Sequence, residues 1–193
     1  GSLTKQGTGT FTLTGANTYS GGTVINDGTL EGNTTSLQGD IVANAAGTLL
    51  FTQPANGTYA GAISGAGTVI KAGAGTLTLT GDNSAHSGVT NLNGGTVSIG
   101  AANNIGTGTL ALDGGTLNTT GTLTLANAVT LGVGGGTVLT GADTTLSGVI
   151  SGAGALVKTG AANLTLSGAN TYTGGTTDSA GTITGTTTSL PGN

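Results

Sequence analysis

The sequence predicts an all-β protein, a right-handed parallel β-helix (β-solenoid) of about eight or nine coils with roughly 20 residues in each coil. Three observations predict this fold class. Gly and Thr dominate the 193 residues, with 41 Gly, while only 5% of the residues are charged. Short segments alternate strictly between apolar residues and Thr. The same pattern returns at nearly even intervals along the chain.

The composition excludes several classes of partner. Three Lys and no Arg stand against seven acidic residues, which gives a formal net charge of −4. A nucleic-acid surface needs clustered Lys and Arg to replace counterions, so we expect no nucleic-acid partner. The absence of Cys excludes disulfides and thiolate metal ligands. Because no run of about 18 apolar residues occurs, we expect no direct insertion into a membrane as a helix.

Strands are indicated by an alternation of period two. The segments "TFTLT" (Thr10–Thr14) and "TLTLT" (Thr76–Thr80) place Phe or Leu on one face and Thr on the other. This is the pattern of a half-buried strand, and Thr suits the outer face because β-branched side chains favour extended backbone. Strands this short cannot bury their apolar faces alone, so we expect neighbouring coils to stack about 4.8 Å apart.

The coil length follows from the spacing of apolar residues that come after Gly-Thr pairs. Phe11, Leu30 and Leu49 follow one another at equal intervals, each close to the length of one predicted coil. From Val69 to Leu77 the interval shortens to less than half a coil, which we interpret as a step from one strand to the next within one coil. A β-sandwich is the main alternative. It gives no reason for such even intervals, whereas stacked coils do.

A longer motif recurs three times on this background. "GANTYSGGT" (Gly15–Thr23) returns as "GANTYTGGT" (Gly168–Thr176) and, more loosely, as "GDNSAHSGV" (Gly81–Val89). We predict one β-helix segment over residues 3–193 with related motifs at 3–40, 61–97 and 148–193. Residues 1–2 are interpreted as a cloning scar. All three lysines hold the same place in the three motifs.

The recurring residues are predicted to be scaffold. Glycine allows backbone angles that are closed to other residues, and asparagine bonds local backbone or accepts a left-handed conformation. Tyrosine is expected to lay its ring over a corner while its hydroxyl stays in water. The predicted structural residues are Lys5, Gly15, Asn17, Tyr19 and Gly22, then Lys71, Gly81, Asn83 and Gly88, then Lys158, Gly168, Asn170, Tyr172 and Gly175.

The first motif, "LTKQGTGTFTLTGANTYSGGTVINDGTL" (Leu3–Leu30), resembles the autotransporter-associated β-strand repeat, also called the passenger-associated transport repeat. The third motif resembles it as closely, whereas the second lacks the tyrosine. The resemblance implies a segment of a β-helical passenger domain exported by type V secretion. The implied partners are the rest of the passenger and a C-terminal outer-membrane β-barrel. The implied location is the bacterial cell surface, tethered to the outer membrane or secreted.

For this repeat, the resemblance implies a role in secretion and folding of the passenger, which we expect to act as a rigid stalk. The alternative is a directly adhesive module that binds a host surface or a like passenger. Enzymatic activity is not expected, because no Arg is present and the carboxylates are scattered among turns. We predict no catalytic residue, no cofactor and no metal site. His86 is expected in an exposed turn, and calcium at a turn aspartate or ice binding by threonine remain weaker alternatives.

Overall fold

The computed structural model describes residues 1–191 and contains 21 short strands and one 3₁₀ turn at Ala102–Asn104. Gly192 and Asn193, the last residues of the predicted third motif, lie outside the described residues. The strands are Leu3–Lys5 (β1), Thr10–Thr12 (β2), Thr23–Gly32 (β3), Ile41–Thr52 (β4), Gly57–Tyr59 (β5), Ile63–Ser64 (β6), Thr68–Ala72 (β7), Thr76–Leu79 (β8), Thr90–Leu92 (β9), Thr96–Ile99 (β10), Leu110–Leu112 (β11), Thr116–Thr119 (β12), Leu123–Leu125 (β13), Val129–Leu131 (β14), Gly136–Thr140 (β15), Thr144–Leu146 (β16), Ile150–Gly152 (β17), Leu156–Thr159 (β18), Asn163–Leu166 (β19), Thr176–Asp178 (β20) and Thr182–Thr184 (β21).

The strands form three parallel sheets, each of which runs along the stack of coils. The first has the order β1-β3-β4-β7-β9-β11-β14-β17, with β2 and β6 paired at its side. The second has the order β20-β18-β15-β12-β10-β8-β5, and the third the order β13-β16-β19-β21. Partners lie about one coil apart: Leu77 pairs with Val97, and Val97 with Leu117. The predicted parallel β-helix is confirmed, with about nine coils of about 20 residues.

The short interval between apolar residues is a step between faces of one coil, as predicted. Val69 lies on β7 in the first sheet, and Leu77, which comes after the next Gly-Thr pair, lies on β8 in the second. The same step carries the chain from Leu156 on β18 in the second sheet to Leu164 on β19 in the third. A coil is therefore completed by two or three short strands, with a corner between each pair of faces.

The interior is filled by rows of apolar side chains that stack from coil to coil. Leu30 and Leu49 pair in register on neighbouring strands, and both are completely buried. The second sheet has a row of its own that includes Leu117, also completely buried, while Thr116 beside it points outward and is half-buried. This inward-outward alternation is the one that the Thr-apolar pattern predicts. No helix among the described residues is long and apolar enough to cross a membrane.

The stacked core predicts a large cost for removing one interior side chain. We expect Leu117→Ala to lower the free energy of unfolding by about 2–5 kcal/mol, because the coils on both sides hold the cavity open. Urea unfolding followed by circular dichroism measures this change. Thr124→Ala, at an exposed position on β13, is the control and should change stability by less than about 0.5 kcal/mol. Equal effects of the two substitutions would contradict a core shared between coils.

Candidate functional site: three buried lysine corners

The interior contains all three lysines of the chain. The exposed fraction is 7% for Lys5, 1% for Lys71 and 0% for Lys158. Each lysine occupies an inward position of its strand, in β1, β7 and β18 respectively. An unpartnered buried ammonium group would cost several kcal/mol, so each must be bonded inside the protein.

Each ammonium group lies in a cage of three backbone carbonyls at a corner of its coil. The first two carbonyls belong to the two residues that follow the lysine, and the third comes from the next coil. This third bond ties one coil to its successor through a charged donor, which makes it stronger than an ordinary amide bond. The acceptors and Nζ–O distances are Gln6 (3.0 Å), Gly7 (2.5 Å) and Asp27 (3.0 Å) for Lys5, Ala72 (3.0 Å), Gly73 (2.7 Å) and Gly94 (3.1 Å) for Lys71, and Thr159 (3.2 Å), Gly160 (2.6 Å) and Ala180 (2.6 Å) for Lys158.

A glycine of the next coil covers each cage. Gly28, Gly95 and Gly181 have φ values of 69°, 61° and 87°, and a Cβ atom at these positions would lie 2.7, 2.8 and 2.6 Å from the lysine Nζ. Both the backbone angle and the lack of space therefore require glycine here. Our sequence analysis missed this cage. Its signal is a lysine followed, slightly more than one coil later, by the glycine of a Gly-Thr pair in all three motifs.

The motif asparagines form a second kind of link between coils. The side-chain oxygens of Asn83 and Asn170 accept the backbone N–H of Ile63 and Ile150, both at 2.7 Å, one coil earlier. Their side-chain nitrogens donate to carbonyls one coil later, at 2.5 Å for Asn83 and 2.7 Å for Asn170. Asn17 makes the forward bond, at 2.9 Å to the Ser36 carbonyl. We expected local bonds or a left-handed backbone, but no described non-glycine residue has positive φ.

The tyrosines differ from the expectation that their hydroxyls stay in water. Tyr172 is 1% exposed, and its hydroxyl lies 2.5 Å from Oγ1 of Thr176. Tyr19 is half-buried, and its hydroxyl accepts the Gln38 N–H at 3.1 Å. The Tyr172 ring therefore belongs to the coil interior, and each hydroxyl has a partner inside the protein: Thr176 at the start of β20 for Tyr172, and the Gln38 N–H of the next coil for Tyr19.

The predicted glycines serve two purposes. Gly15, Gly22 and Gly175 have φ values of 76°, 75° and 78°, which are closed to most other residues. The second group has no positive φ, but a Cβ atom there would collide with a backbone carbonyl of the preceding coil. Close stacking of coils, rather than backbone angle, requires glycine in this second group, which consists of Gly81, Gly88 and Gly168.

The chain matches a family model and a curated relative. Residues 3–31, 69–99 and 156–184 match the family described as passenger-associated-transport-repeat. Over 122 residues the chain is 41% identical to the Adhesin BmaC autotransporter of Brucella suis biovar 1 (strain 1330), and the match covers 45% of this chain and 4% of that protein. No solved structure matches the chain.

The chain contains three passenger-associated-transport repeats. Each of the three matched segments contains one of the lysine corners, since Lys5, Lys71 and Lys158 all lie inside the matched ranges. The repeat region belongs to an autotransporter passenger, as the resemblance implied. It spans only 4% of the length of the relative it matches.

The carboxylates of the repeat region also link coils. A side-chain oxygen of Asp40, Asp113 and Asp143 accepts a backbone N–H about one coil later in the chain. The donors are Ala62 at 2.8 Å, Gly134 at 2.7 Å and Asn163 at 2.9 Å, respectively. Within residues 1–191 no three acidic or histidine side chains gather into a group that could hold a metal ion.

The prediction of an exposed turn at His86 is wrong. The imidazole is 2% exposed, while Ala85, which takes the place of the motif tyrosine, is exposed. In the second motif the buried ring is thus that of the histidine, one residue after the position that Tyr172 occupies in the third. A turn of small polar residues predicts exposure, and only the stacked coils on both sides reveal the burial.

We expect Lys158→Met to lower the free energy of unfolding by about 1–3 kcal/mol, because three partly buried carbonyls lose their donor. Met is unbranched and only one atom shorter than Lys, so packing changes little. Urea unfolding measures the effect. The control is Val157→Thr, a half-buried outward neighbour on β18, for which we expect about 0.5 kcal/mol or less. If Lys158→Met is as stable as the control, the cage does not link the coils.

Proposed function

We propose that this repeat region is a non-catalytic structural segment of a surface-displayed passenger. It acts as a rigid β-helical stalk and promotes secretion and folding of the passenger across the outer membrane. Its working partners are the rest of the passenger and the C-terminal outer-membrane β-barrel of the full protein. Its place is the cell surface, where the full protein is tethered to the outer membrane or released.

The observation that carries this proposal is the set of inter-coil links at the lysine corners. Each ammonium group is satisfied only when a carbonyl of the next coil is in place. In a solenoid, stability is close to a sum of coil stabilities and nearest-neighbour terms. Strong nearest-neighbour terms favour a continuous rod, about 40 Å long for about nine coils at the strand spacing, over a string of separately moving units.

The same links support a role in export. A coil that emerges from the membrane alone exposes its apolar side chains to water. Any lysine, asparagine or turn carboxylate in that coil then lacks its inter-coil partner. These groups gain partners only by docking onto a folded coil, so each docking step lowers the free energy of the exported part. A chain whose outer part gains stability coil by coil is hindered from sliding back.

A directly adhesive module is the second candidate. It is favoured by the printed name of the relative, an adhesin. The outward positions of the third sheet are uncharged and rich in threonine, with Thr124, Thr145 and Thr165 in register. Such an uncharged face presents hydroxyl groups that could bind a host surface or a like passenger.

Secretion of the parent autotransporter from a Gram-negative host tests the proposal. We expect the triple variant Lys5→Met, Lys71→Met and Lys158→Met to lower the protease-accessible passenger at the cell surface several-fold, with an equal amount of outer-membrane barrel. The control carries Thr4→Ser, Ile70→Val and Val157→Thr, the outward neighbours of the lysines. Normal surface display of the triple variant would overturn the export role.

The adhesive candidate requires a separate measurement on the isolated chain. Under the stalk proposal, the chain neither binds host cells nor associates with itself at micromolar concentration. Binding to cells at the level of the whole passenger, or stable dimers in analytical ultracentrifugation, would favour the adhesive module.

A further inference from the structure

The third face of the β-helix is interrupted in the middle of the chain. The long strands β3 and β4 each span two faces: their second halves pair with β2 and β7 on the first face. Their first halves continue the third face, where the ladder passes from β1 through β3 and β4 to β6, and regular strands resume only at β13. In the two intervening coils a turn at 83–86 and the 3₁₀ turn Ala102–Asn104 replace strands. Local stability is lowest where backbone ladders are missing. His86 lies in this interruption.

The imidazole of His86 lies between the backbones of the preceding and the following coil. Its Nδ1 lies 3.2 Å from the Gly65 carbonyl in the preceding coil. On the other side the ring packs against Gly106, where a Cβ atom would come within 3.0 Å of the imidazole Cδ2. The backbone around the ring is held by Ser87 N–H to Gly65 O at 2.9 Å and Thr107 N–H to His86 O at 2.8 Å.

The tautomer follows from this contact. A carbonyl oxygen only accepts, so Nδ1 carries the proton and donates to Gly65. Nε2 of the neutral ring is then a bare lone pair, and it is buried without a hydrogen-bond partner. Protonation would turn Nε2 into a charged N–H donor in the same enclosed position. Burial of the charged ring costs free energy, and the nearby carbonyls of Gly65 and Val89 offset only part of this cost.

We propose that His86 makes this interruption an acid-sensitive joint: as the pH falls below about 6.5, protonation of the imidazole progressively favours opening of the coils around residues 83–107 while the rest of the β-helix stays folded. The joint needs no ligand, and its sensitivity depends on a single side chain. It adds a local control of rigidity to the stalk and does not depend on the export role.

The surrounding charges do not offset protonation. No titratable side chain occurs in the segments packed on the ring, residues 63–66 before it and 101–107 after it. On the histidine's own turn Asp82 is exposed, and its carboxylate accepts the Ser84 N–H at 3.0 Å, which holds the pKa of Asp82 below its usual range. Burial lowers the pKa of His86, opposed by the carbonyls of Gly65 and Val89. The Val89 carbonyl is near the ring but not bonded to Nε2.

The sign of the pH effect follows from the lowered pKa. At pH values between the folded and the unfolded pKa of His86, the imidazole is protonated in the open state and neutral in the closed state. Closing is therefore fully favoured above about pH 6.5 and becomes less favoured as the pH falls toward the folded pKa, by up to about tenfold per pH unit. Aspartate and glutamate titrate near pH 4 and below, outside this window.

Hydrogen exchange of the intact chain tests the joint, with rates expressed as protection factors relative to the unprotected amide at each pH. We expect protection of the Ser87 and Thr107 amides to fall at least about tenfold between pH 7.5 and 5.0. Protection of the Thr116 amide, bonded to the Gly95 carbonyl in a regular sheet, should stay within about twofold. A uniform fall at all three amides would overturn the proposal, because it would mean global acid unfolding.

Two further measurements keep the test independent of any one variant. His86→Phe keeps a ring in the space and removes titration, so the difference in protection between pH 7.5 and 5.0 should vanish; a persistent difference contradicts the joint. The wild type has one histidine, and its imidazole ¹⁵N resonances report both tautomer and titration. An Nε2–H tautomer, or a midpoint at or above about 6.5, would overturn the proposal even if the variant fails to fold.

Discussion

The structure depends on the sheltering of each coil by its neighbours. A short strand such as β8 or β12 buries one or two leucines and cannot hold them away from water by itself. In register with the strands above and below, the same leucines form continuous rows. Because every described strand pair is parallel and about one coil apart, neither sheet nor core exists within a single coil.

The polar interior obeys the same constraint. A corner has backbone carbonyls that point inward, and an apolar side chain there would leave them unbonded. Lysine solves the problem with a donor that reaches two carbonyls of its own coil and one of the next. Asparagine does so with one acceptor and one donor, directed to the coils on either side. The recurring polar motif therefore encodes a set of hydrogen bonds between neighbouring coils.

Much of the fold could be predicted because its signals are local or periodic. The alternation in "TLTLT" predicts the strand at Thr76–Leu79, and the short interval after Val69 predicts the change of face. The lysine cages could not be derived in this way, since Lys158 meets Ala180 only after a full coil has closed. The burial of His86 escaped for the same reason. Its turn has the composition of an exposed loop, and the coils on either side decide its environment.

The intervals between the lysines explain how the links are distributed. The interval from Lys71 to Lys158 is longer than that from Lys5 to Lys71 by about one coil. Neither interval is a whole number of coils, because the first corresponds to three coils and the second to four, each with about a third of a coil added. The second strand of the first motif accordingly aligns with the lysine strand of the second, as Phe11 stacks through Leu30 and Leu49 onto Val69.

The second strand of the second motif aligns in the same way with the lysine strand of the third, through the ladder β8-β10-β12-β15-β18. Each motif is therefore displaced by one face, and the three cages lie at three different corners. Intervals of whole coils would place every cage on one corner and leave two corners joined by neutral bonds alone. Displacement by a third of a coil instead distributes the three charged links over the corners of the stack, so that each corner has one link between neighbouring coils that is stronger than a neutral amide bond.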